Sequence, residues 1–228
     1  MPNMKLHIVY HFESTHHFPD YGIQIPLLNE RVEEAIEGLK TIDVEYISDF
    51  NPIQVNDLKL AHLDEFINRI NFDPDKLVQE TYELIDKNGD YNRYDPNSST
   101  RPLIDFVTKA RIHVQGTYLA AKKSLENHFC YHLGGGMHHA MSSRPGGFCM
   151  FNDIVIAIRK LQKEKMISRA AVIDLDCHKG DGAAEITKDD SSIKTFSIHM
   201  QDGWPLVMDA LSESLIPSDL DVPISVDN

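Results

Sequence analysis

The chain has 228 residues and a mass of 25.9 kDa, with 42% hydrophobic and 25% charged residues, which is enough for one buried core. Its formal net charge of −13 disfavours direct binding to nucleic acid or to an anionic membrane; it suits a cationic partner, or serves solubility alone. Because the chain shows no apolar run long enough for a membrane span, no signal peptide and no disulfide framework among its three cysteines, we expect a cytoplasmic protein.

Hydrophobic periodicity and turn residues divide the chain into strands and helices. In chain order they predict a strand over 5–11, a helix over 28–39, a strand over 44–48, helices over 58–70 and 75–85, a loop over 86–102, a helix over 103–127, a strand over 129–133, a helix capped by Asn152, and strands over 171–176 and 194–200. The loop is rich in Asn, Asp, Ser, Gly and Pro, and a functional lid and a disordered segment fit it equally well.

The order of these elements predicts the fold class. Strands separated by helices form parallel sheets that helices cover on both faces. We therefore expect an α/β protein with three α/β/α layers and a mainly parallel central sheet. The run over 171–176 is apolar until its carboxylates, which is typical of a strand buried on both faces.

The segment IDLDCHKGDG, residues 173–182, is the first candidate for chemistry. In an extended chain alternate side chains share one side, so Asp174, Asp176 and His178 project together where the strand ends. Ligands of α/β sheets bind at this carboxyl edge, and carboxylate oxygen and imidazole nitrogen suit zinc or a similar divalent ion. The alternative is that the two aspartates end the strand as a turn signal.

The second candidate is GGGMHHA, residues 134–140, which contains the adjacent His138 and His139. Alone, such histidines are usually solvated or satisfied by local hydrogen bonds. Beside a metal ion they have a function, because a metal-activated water needs a base within hydrogen-bond reach. A histidine base in turn needs a carboxylate that fixes its tautomer. Asp174 and Asp181 are the natural partners of the two imidazoles.

Together these segments resemble a known family, the zinc-dependent histone deacetylases and their bacterial relatives, the acetylpolyamine amidohydrolases and acetoin-utilisation proteins. The resemblance rests on GGGMHHA, GGFCMFND, IDLDCHKGDG and FSIHM, which occur in family order between residues 134 and 200. The first three look closest to class IV histone deacetylases. Residues 62–70, HLDEFINRI, fit more loosely. The resemblance implies the arginase/deacetylase fold and hydrolysis of an N-acyl amide.

The resemblance also implies roles for individual residues. Asp176 and His178 would bind the zinc ion. His139, paired with Asp181, would be the general base and acid. His138, paired with Asp174, would be its electrostatic partner.

Further family positions surround these groups. Gly147 would lie beside the catalytic histidines, and Phe148 would line a tunnel for an acyl-lysine-like chain. Cys149 falls near the site, where we expect a small buried residue rather than a catalytic one. A structural potassium ion would be held by the main chain around Asp174, Asp176 and His178, together with Ser197 and Ile198.

The sequence departs from the family pattern at two places. Lys179 stands where relatives often carry His or Gln, either as a surface change or as a cation that tunes the metal. Residues 221–228 resemble the strand that leads into the family's last third, but the third metal ligand and the glycine-rich segment with the catalytic tyrosine are not seen. Of the aspartates near this end, only Asp227 stays open as a substitute for the third metal ligand. The others, which lie in the wrong motif context, are Asp209, Asp219 and Asp221.

Three explanations follow for this end of the chain: a fragment, a remainder in another chain, or a pseudoenzyme. We favour the first, and expect a single catalytic domain over 1–228 that lacks its C-terminal part. Such a chain should expose apolar sheet surface and bind zinc weakly.

Three functions compete. The leading hypothesis is hydrolysis of acyl-lysine or of a small acylated amine, with the acyl length open and a homo-oligomer possible. The second is an inactive acyl-lysine-binding or interaction domain. The third is an arginase-like ureohydrolase with two manganese ions, against which the tandem histidines and GGFC argue.

Overall fold

The computed structural model describes residues 6–15, 17–25, 30–206 and 215–225. Its strands are β1 Leu6–Val9, β2 Val44–Ile47, β3 Tyr131–His132, β4 Ala170–Asp174, β5 Ile193–Met200 and β6 Leu220–Ile224. All pair in parallel, in the orders β2-β1-β3 and β4-β5-β6. The predicted α/β class is confirmed. The described residues nevertheless form two three-stranded sheets, where we expected one central sheet.

Seven helices of at least one turn connect these strands within the described residues: α1 Glu30–Leu39, α2 Val55–Leu58, α3 Asp64–Phe72, α4 Pro74–Thr81, α5 Asp105–Asn127, α6 Asp153–Lys163 and α7 Asp181–Thr187. The predicted helix over 103–127 and the one capped by Asn152 are confirmed, and the Asn152 side chain accepts the Val155 N–H at 3.2 Å. Throughout the described ranges, every helix is too short or too polar to cross a bilayer.

Other boundaries differ from the prediction. The helix expected over 58–70 is two helices, α2 and α3, because the chain turns between them and the His62 side chain points inward. The helix expected over 75–85 ends at Thr81, since Glu83 has a left-handed φ of 54°. The first two residues of the helix expected over 28–39, and Lys5 of the first strand, lie outside the described residues.

The core lies between the helices and the inner sheet faces. Its largest fully buried side chains include Phe106 of α5, Ile156 of α6, and Phe151 just before α6. Helices α5 and α6 pack directly against each other. This packing holds the loop between β3 and α6 over the carboxyl ends of the strands.

The sheet of β4, β5 and β6 has one buried and one exposed face. Val172, Ile193 and Ser197 are buried, whereas Ile173 is 69% and Leu175 is 72% exposed. The interpretation of β4 as buried on both faces was wrong, because the described residues leave one face of this sheet uncovered and the side chains of Ala171 and Ile173 face solvent there. The expected exposure of apolar sheet surface is confirmed.

Gly116 in the middle of α5 makes a testable contact. A Cβ atom at this position would lie 2.3 Å from His132 Nε2, whereas a Cβ at Gly38 in α1 would have no neighbour within 4 Å. We expect Gly116→Ala to lower the free energy of unfolding by about 1–3 kcal/mol through overpacking. Gly38→Ala should raise it by up to about 1 kcal/mol through helix propensity. Urea unfolding of the two variants measures both effects, and equal shifts would contradict the close packing of α5 on His132.

Candidate active site

The candidate site lies where β3, β4 and β5 end. The loops that follow these strands enclose a cavity of about 990 Å³. Its lining combines imidazole, carboxylate and aromatic groups from distant parts of the chain: Ile25, Glu83, Arg93, Gly136, His138, His139, Gly147, Phe148, Cys149, Asp176, His178 and Trp204. The structure therefore brings both sequence segments with candidate residues into one cavity.

The adjacent histidines are each paired with a different carboxylate. His138 Nδ1 lies 2.5 Å from Asp174 Oδ2, and His139 Nδ1 lies 2.6 Å from Asp181 Oδ1. Because an ionised carboxylate only accepts hydrogen bonds, each Nδ1 carries its proton and donates it. In either ring, Nε2 is then the nitrogen that is free to gain or lose a proton.

The two imidazoles differ electrostatically although their ring centroids are 3.9 Å apart. Burial opposes protonation of His138, but its hydrogen bond to Asp174 and the surrounding carboxylate charges outweigh burial and raise its pKa. Burial lowers the pKa of His139, and the hydrogen bond to Asp181 does not compensate for burial together with the positive charges of neighbouring histidines. The two adjacent imidazoles therefore differ in proton affinity, with His138 the more readily protonated and His139 the more readily neutral.

Asp176 and His178 offer metal donors next to these histidines. A carboxylate oxygen of Asp176, a ring nitrogen of His178 and the Cys177 sulfur lie within 4.8 Å of one another. The His139 and His178 ring centroids are 5.9 Å apart. Oxygen, nitrogen and sulfur donors in this arrangement fit a zinc ion. The sequence interpretation omitted Cys177, because strict alternation would point its side chain away from Asp176 and His178.

The remaining aspartates named above do not join this group within the described residues. Asp219 accepts hydrogen bonds from Lys194 Nζ at 2.6 Å and from the Thr195 N–H at 3.0 Å. Asp221 is ion-paired with Lys179. Asp209 and Asp227 lie outside the described residues.

Gly147 and Phe148 form one wall of the cavity. Gly147 has a φ of +51°, and a Cβ there would lie 2.5 Å from His139 Cδ2, so the backbone passes directly against the imidazole. The Phe148 ring stacks on Tyr82, with centroids 6.1 Å apart. Cys149 is buried, and burial raises the pKa of its thiol to about 12, which agrees with the expected packing role.

The residues predicted to hold potassium lie on β5, at the end of β4 and in the loop that follows β4. Asp174 of β4 pairs in register with Ser197 of β5, and Ile198 follows Ser197. Asp174 Oδ1 accepts the Asp176 N–H at 3.0 Å, and Ser197 Oγ lies 2.9 Å from His199 Nδ1. The potassium site itself stays a prediction.

Besides Cys177, the sequence interpretation missed two further site features. Trp204 lies after β5, with its ring centroid 4.6 Å from that of His139 and 5.8 Å from that of His178. The sequence could have indicated Trp204, because it follows the end of β5, and β5 ends at the same sheet edge as β4. Asp153 is fully buried and accepts the Met137 N–H at 2.7 Å and the Gly136 N–H at 2.9 Å. It thus anchors the glycine-rich segment directly before His138.

His62 links two segments that frame the site. Its Nδ1 donates to the Met141 carbonyl at 2.9 Å, and its Nε2 accepts the Asn152 N–H at 2.9 Å. This pattern requires the neutral imidazole, because a protonated ring could not accept from Asn152. Burial lowers the pKa of His62 to about 4, against the raising effect of the Met141 and Ser142 backbone.

A pH dependence of stability follows from His62. In the unfolded chain the His62 imidazole is protonated as the pH falls through about 6.5. In the folded chain it is protonated only as the pH falls through about 4. The stabilisation is therefore complete above pH 6.5 and is lost as the pH falls towards 4, by up to about 3 kcal/mol. Urea unfolding at several pH values should show this loss, and His62→Gln should flatten it. An unchanged slope in His62→Gln would contradict the assignment.

The fold and site together define an α/β/α protein of the arginase/deacetylase type. A family model described as "Histone deacetylase domain" matches residues 25–218. The chain therefore belongs to the histone deacetylase family. Among solved structures, the crystal structure of the HDA15 HD domain matches with a TM-score of 0.61 at 17% identity, over 89% of this chain and 56% of that one. This likeness supports the fold.

Curated relatives include eukaryotic and bacterial proteins. Histone deacetylase 2 of Arabidopsis thaliana is 38% identical over 95 residues, 42% of this chain and 24% of the relative. The acetoin utilization protein AcuC of Bacillus subtilis is 30% identical over 181 residues, 76% of this chain and 44% of the relative. In both cases the chain spans less than half of the relative's length.

Proposed function

We propose that this chain carries the catalytic histidines of a metal-dependent amidohydrolase that removes acyl groups from acyl-lysine or from a small acylated amine. One observation supports the proposal above all. Two histidines, each held by its own carboxylate, line the same cavity as the donor pair Asp176 and His178. General base, electrostatic partner and metal donors thus stand within reach of one substrate.

Asp176 and His178 would hold the zinc ion, which, when bound, supplies Lewis-acid polarisation of the amide carbonyl and acidification of water. His139 Nε2 takes the proton of the attacking water, and Asp181 stabilises the resulting imidazolium through Nδ1–H. His139 then returns a proton to the leaving amine. His138, held by Asp174, contributes the positive charge that its raised pKa favours.

The cavity walls support an elongated, partly apolar substrate. Phe148, Trp204 and Ile25 provide apolar surface along the cavity, which fits the methylene chain of a lysine. The net charge of −13 favours a substrate that is cationic around the acylated amine. A cytoplasmic location follows as part of the proposal, and a homo-oligomer is compatible with it.

A structural potassium ion belongs to the same proposal. Asp174, Asp176 and His178 on the β4 side, with Ser197 and Ile198 on the β5 side, would surround it where the two strands are paired. Such an ion would stabilise the segment that carries both metal donors. Added potassium should therefore raise the melting temperature more than added sodium.

The test is release of a carboxylic acid from acyl-lysine peptides and acylated polyamines by the full-length protein loaded with zinc. We expect release that stops after chelation and returns with zinc. Tight binding of the acylated peptide without release would instead identify a non-catalytic acyl-lysine-binding domain. Two manganese ions per chain with release of urea from a guanidino substrate would identify a ureohydrolase.

A further inference from the structure

Lys179 is the residue after the metal donor His178, and its side chain is only 4% exposed. Burying an ammonium group is unfavourable by several kcal/mol unless a partner compensates it. The partner is Asp221 at the start of β6, whose Oδ2 lies 2.5 Å from Lys179 Nζ. The ion pair thus joins the loop after β4 to β6.

Asp221 is held on its own strand as well. The same Oδ2 accepts the Ser218 N–H at 3.1 Å. Its other oxygen, Oδ1, is buried and has no hydrogen-bond partner in the part of the chain that the structure describes. The Asp221 side chain is 25% exposed, whereas the Lys179 ammonium is almost fully buried, so the ammonium depends on this carboxylate for its compensation.

The ion pair acts on a short loop, residues 175–180, which we name the donor loop. It contains Asp176 and His178, and the Lys179 carbonyl accepts the Asp181 N–H at 2.8 Å. Lys179 therefore lies between a metal donor and the carboxylate that orients His139. A displacement of Lys179 would move both groups.

The other contacts of the donor loop are of different kinds. The Asp176 N–H donates to Asp174 and the His178 N–H to Asp176, so these bonds remain within the segment itself. The Cys177 carbonyl accepts the Met200 N–H at 2.9 Å, which links the loop to β5. The ion pair of Lys179 adds a side-chain link to the next strand, β6.

We propose that Lys179 is a positioning residue, whose buried ion pair with Asp221 holds the donor loop in the geometry that binds the metal ion. The inference rests on the proposed metal site. It assigns Lys179 a role that is neither catalysis nor substrate binding.

The experiment measures zinc affinity of the full-length protein by competition with a chromophoric chelator, together with thermal unfolding. Lys179→Met should weaken zinc binding about tenfold, as loss of groups that support metal ligands commonly does. Lys179→Arg keeps the cation and should restore most of the affinity. Lys194→Met is the matched control, because it breaks an exposed ion pair between Lys194 of β5 and Asp219, the residue before β6, and should leave zinc affinity unchanged.

The double variant Lys179→Met/Asp221→Met separates positioning from general stability. Replacing a buried ion pair by apolar side chains often preserves or raises stability, so its melting temperature should recover while zinc affinity stays low. Recovery of both would reduce Lys179 to a structural role, and wild-type zinc affinity in Lys179→Met would overturn the inference. If Lys179→Met does not fold, the double variant alone decides between these outcomes. A wild-type protein that binds no zinc would overturn the proposed metal site itself.

Discussion

His139→Ala is expected to lower kcat for acid release from an acyl-lysine peptide about a thousandfold, with a much smaller change in KM. The magnitude is that of losing a general acid and base. His139 has the position for this role, because its ring lies next to His178 and Trp204 at the cavity wall. It also has the electrostatics, since its lowered pKa keeps it neutral and able to accept a proton.

Two companion variants make the assignment specific. His138→Ala should lower kcat less than His139→Ala does, because the His138 imidazole stabilises charge and does not transfer the proton. Asp181→Asn should approach the loss of His139→Ala, since an amide in place of the carboxylate can hold the wrong tautomer of His139. Each variant must bind zinc and unfold as the wild type does. If His139→Ala and the wild type released acid at equal rates, the general-base assignment would be wrong.

Asp153→Ala is expected to lower the free energy of unfolding by about 3 kcal/mol or more. The carboxylate accepts from the Gly136 N–H, the Met137 N–H and the Thr117 hydroxyl, and it is 0% exposed. Alanine would leave these donors buried without an acceptor, and bonds to a charged group are among the strongest of their kind. The carboxylate also stabilises the N-terminus of α6, where it is the first residue.

The control is Asp75→Ala, which removes an exposed carboxylate from the first turn of α4. It loses a helix-dipole interaction alone and should cost less than about 1 kcal/mol. Urea unfolding compares the two variants, and zinc-loaded activity of Asp153→Ala should fall as well because the residues before His138 lose their anchor. A loss below about 1 kcal/mol in Asp153→Ala would contradict the role of this network.

Much of the site could be predicted from the sequence because its key groups lie in short local segments. His138 and His139 are adjacent, and Asp174, Asp176 and His178 alternate along one extended stretch. Each segment follows the carboxyl end of a parallel strand, β3 for the histidines and β4 for the aspartates, and such ends are where α/β proteins bind ligands. The two strands belong to different sheets among the described residues, and their ends meet at the cavity. The resemblance to the family then paired His138 with Asp174 and His139 with Asp181, and both pairs are present.

The helix break at His62 shows why other features could not be predicted. Periodicity over 58–70 favours one helix, because it reports which side chains are apolar and not where the chain must turn. The inward turn of His62 depends on Met141 and Asn152, which are 79 and 90 residues away. Such contacts carry no local pattern.

By itself, the sequence determined the α/β class and the two short segments that hold the histidines and the candidate carboxylates, because these depend on local spacing and on the polarity of parallel strands. The family resemblance assigned Asp176 and His178 as the expected metal donors. Only the tertiary structure decided that Asp153 anchors the glycine-rich segment, that Trp204 faces His139, that Lys179 is buried against Asp221, and that β4 lies at an edge with one face exposed. The physical reason is that burial and ion pairing depend on contacts between residues that are far apart in the sequence. The local pattern of a short segment does not specify such contacts.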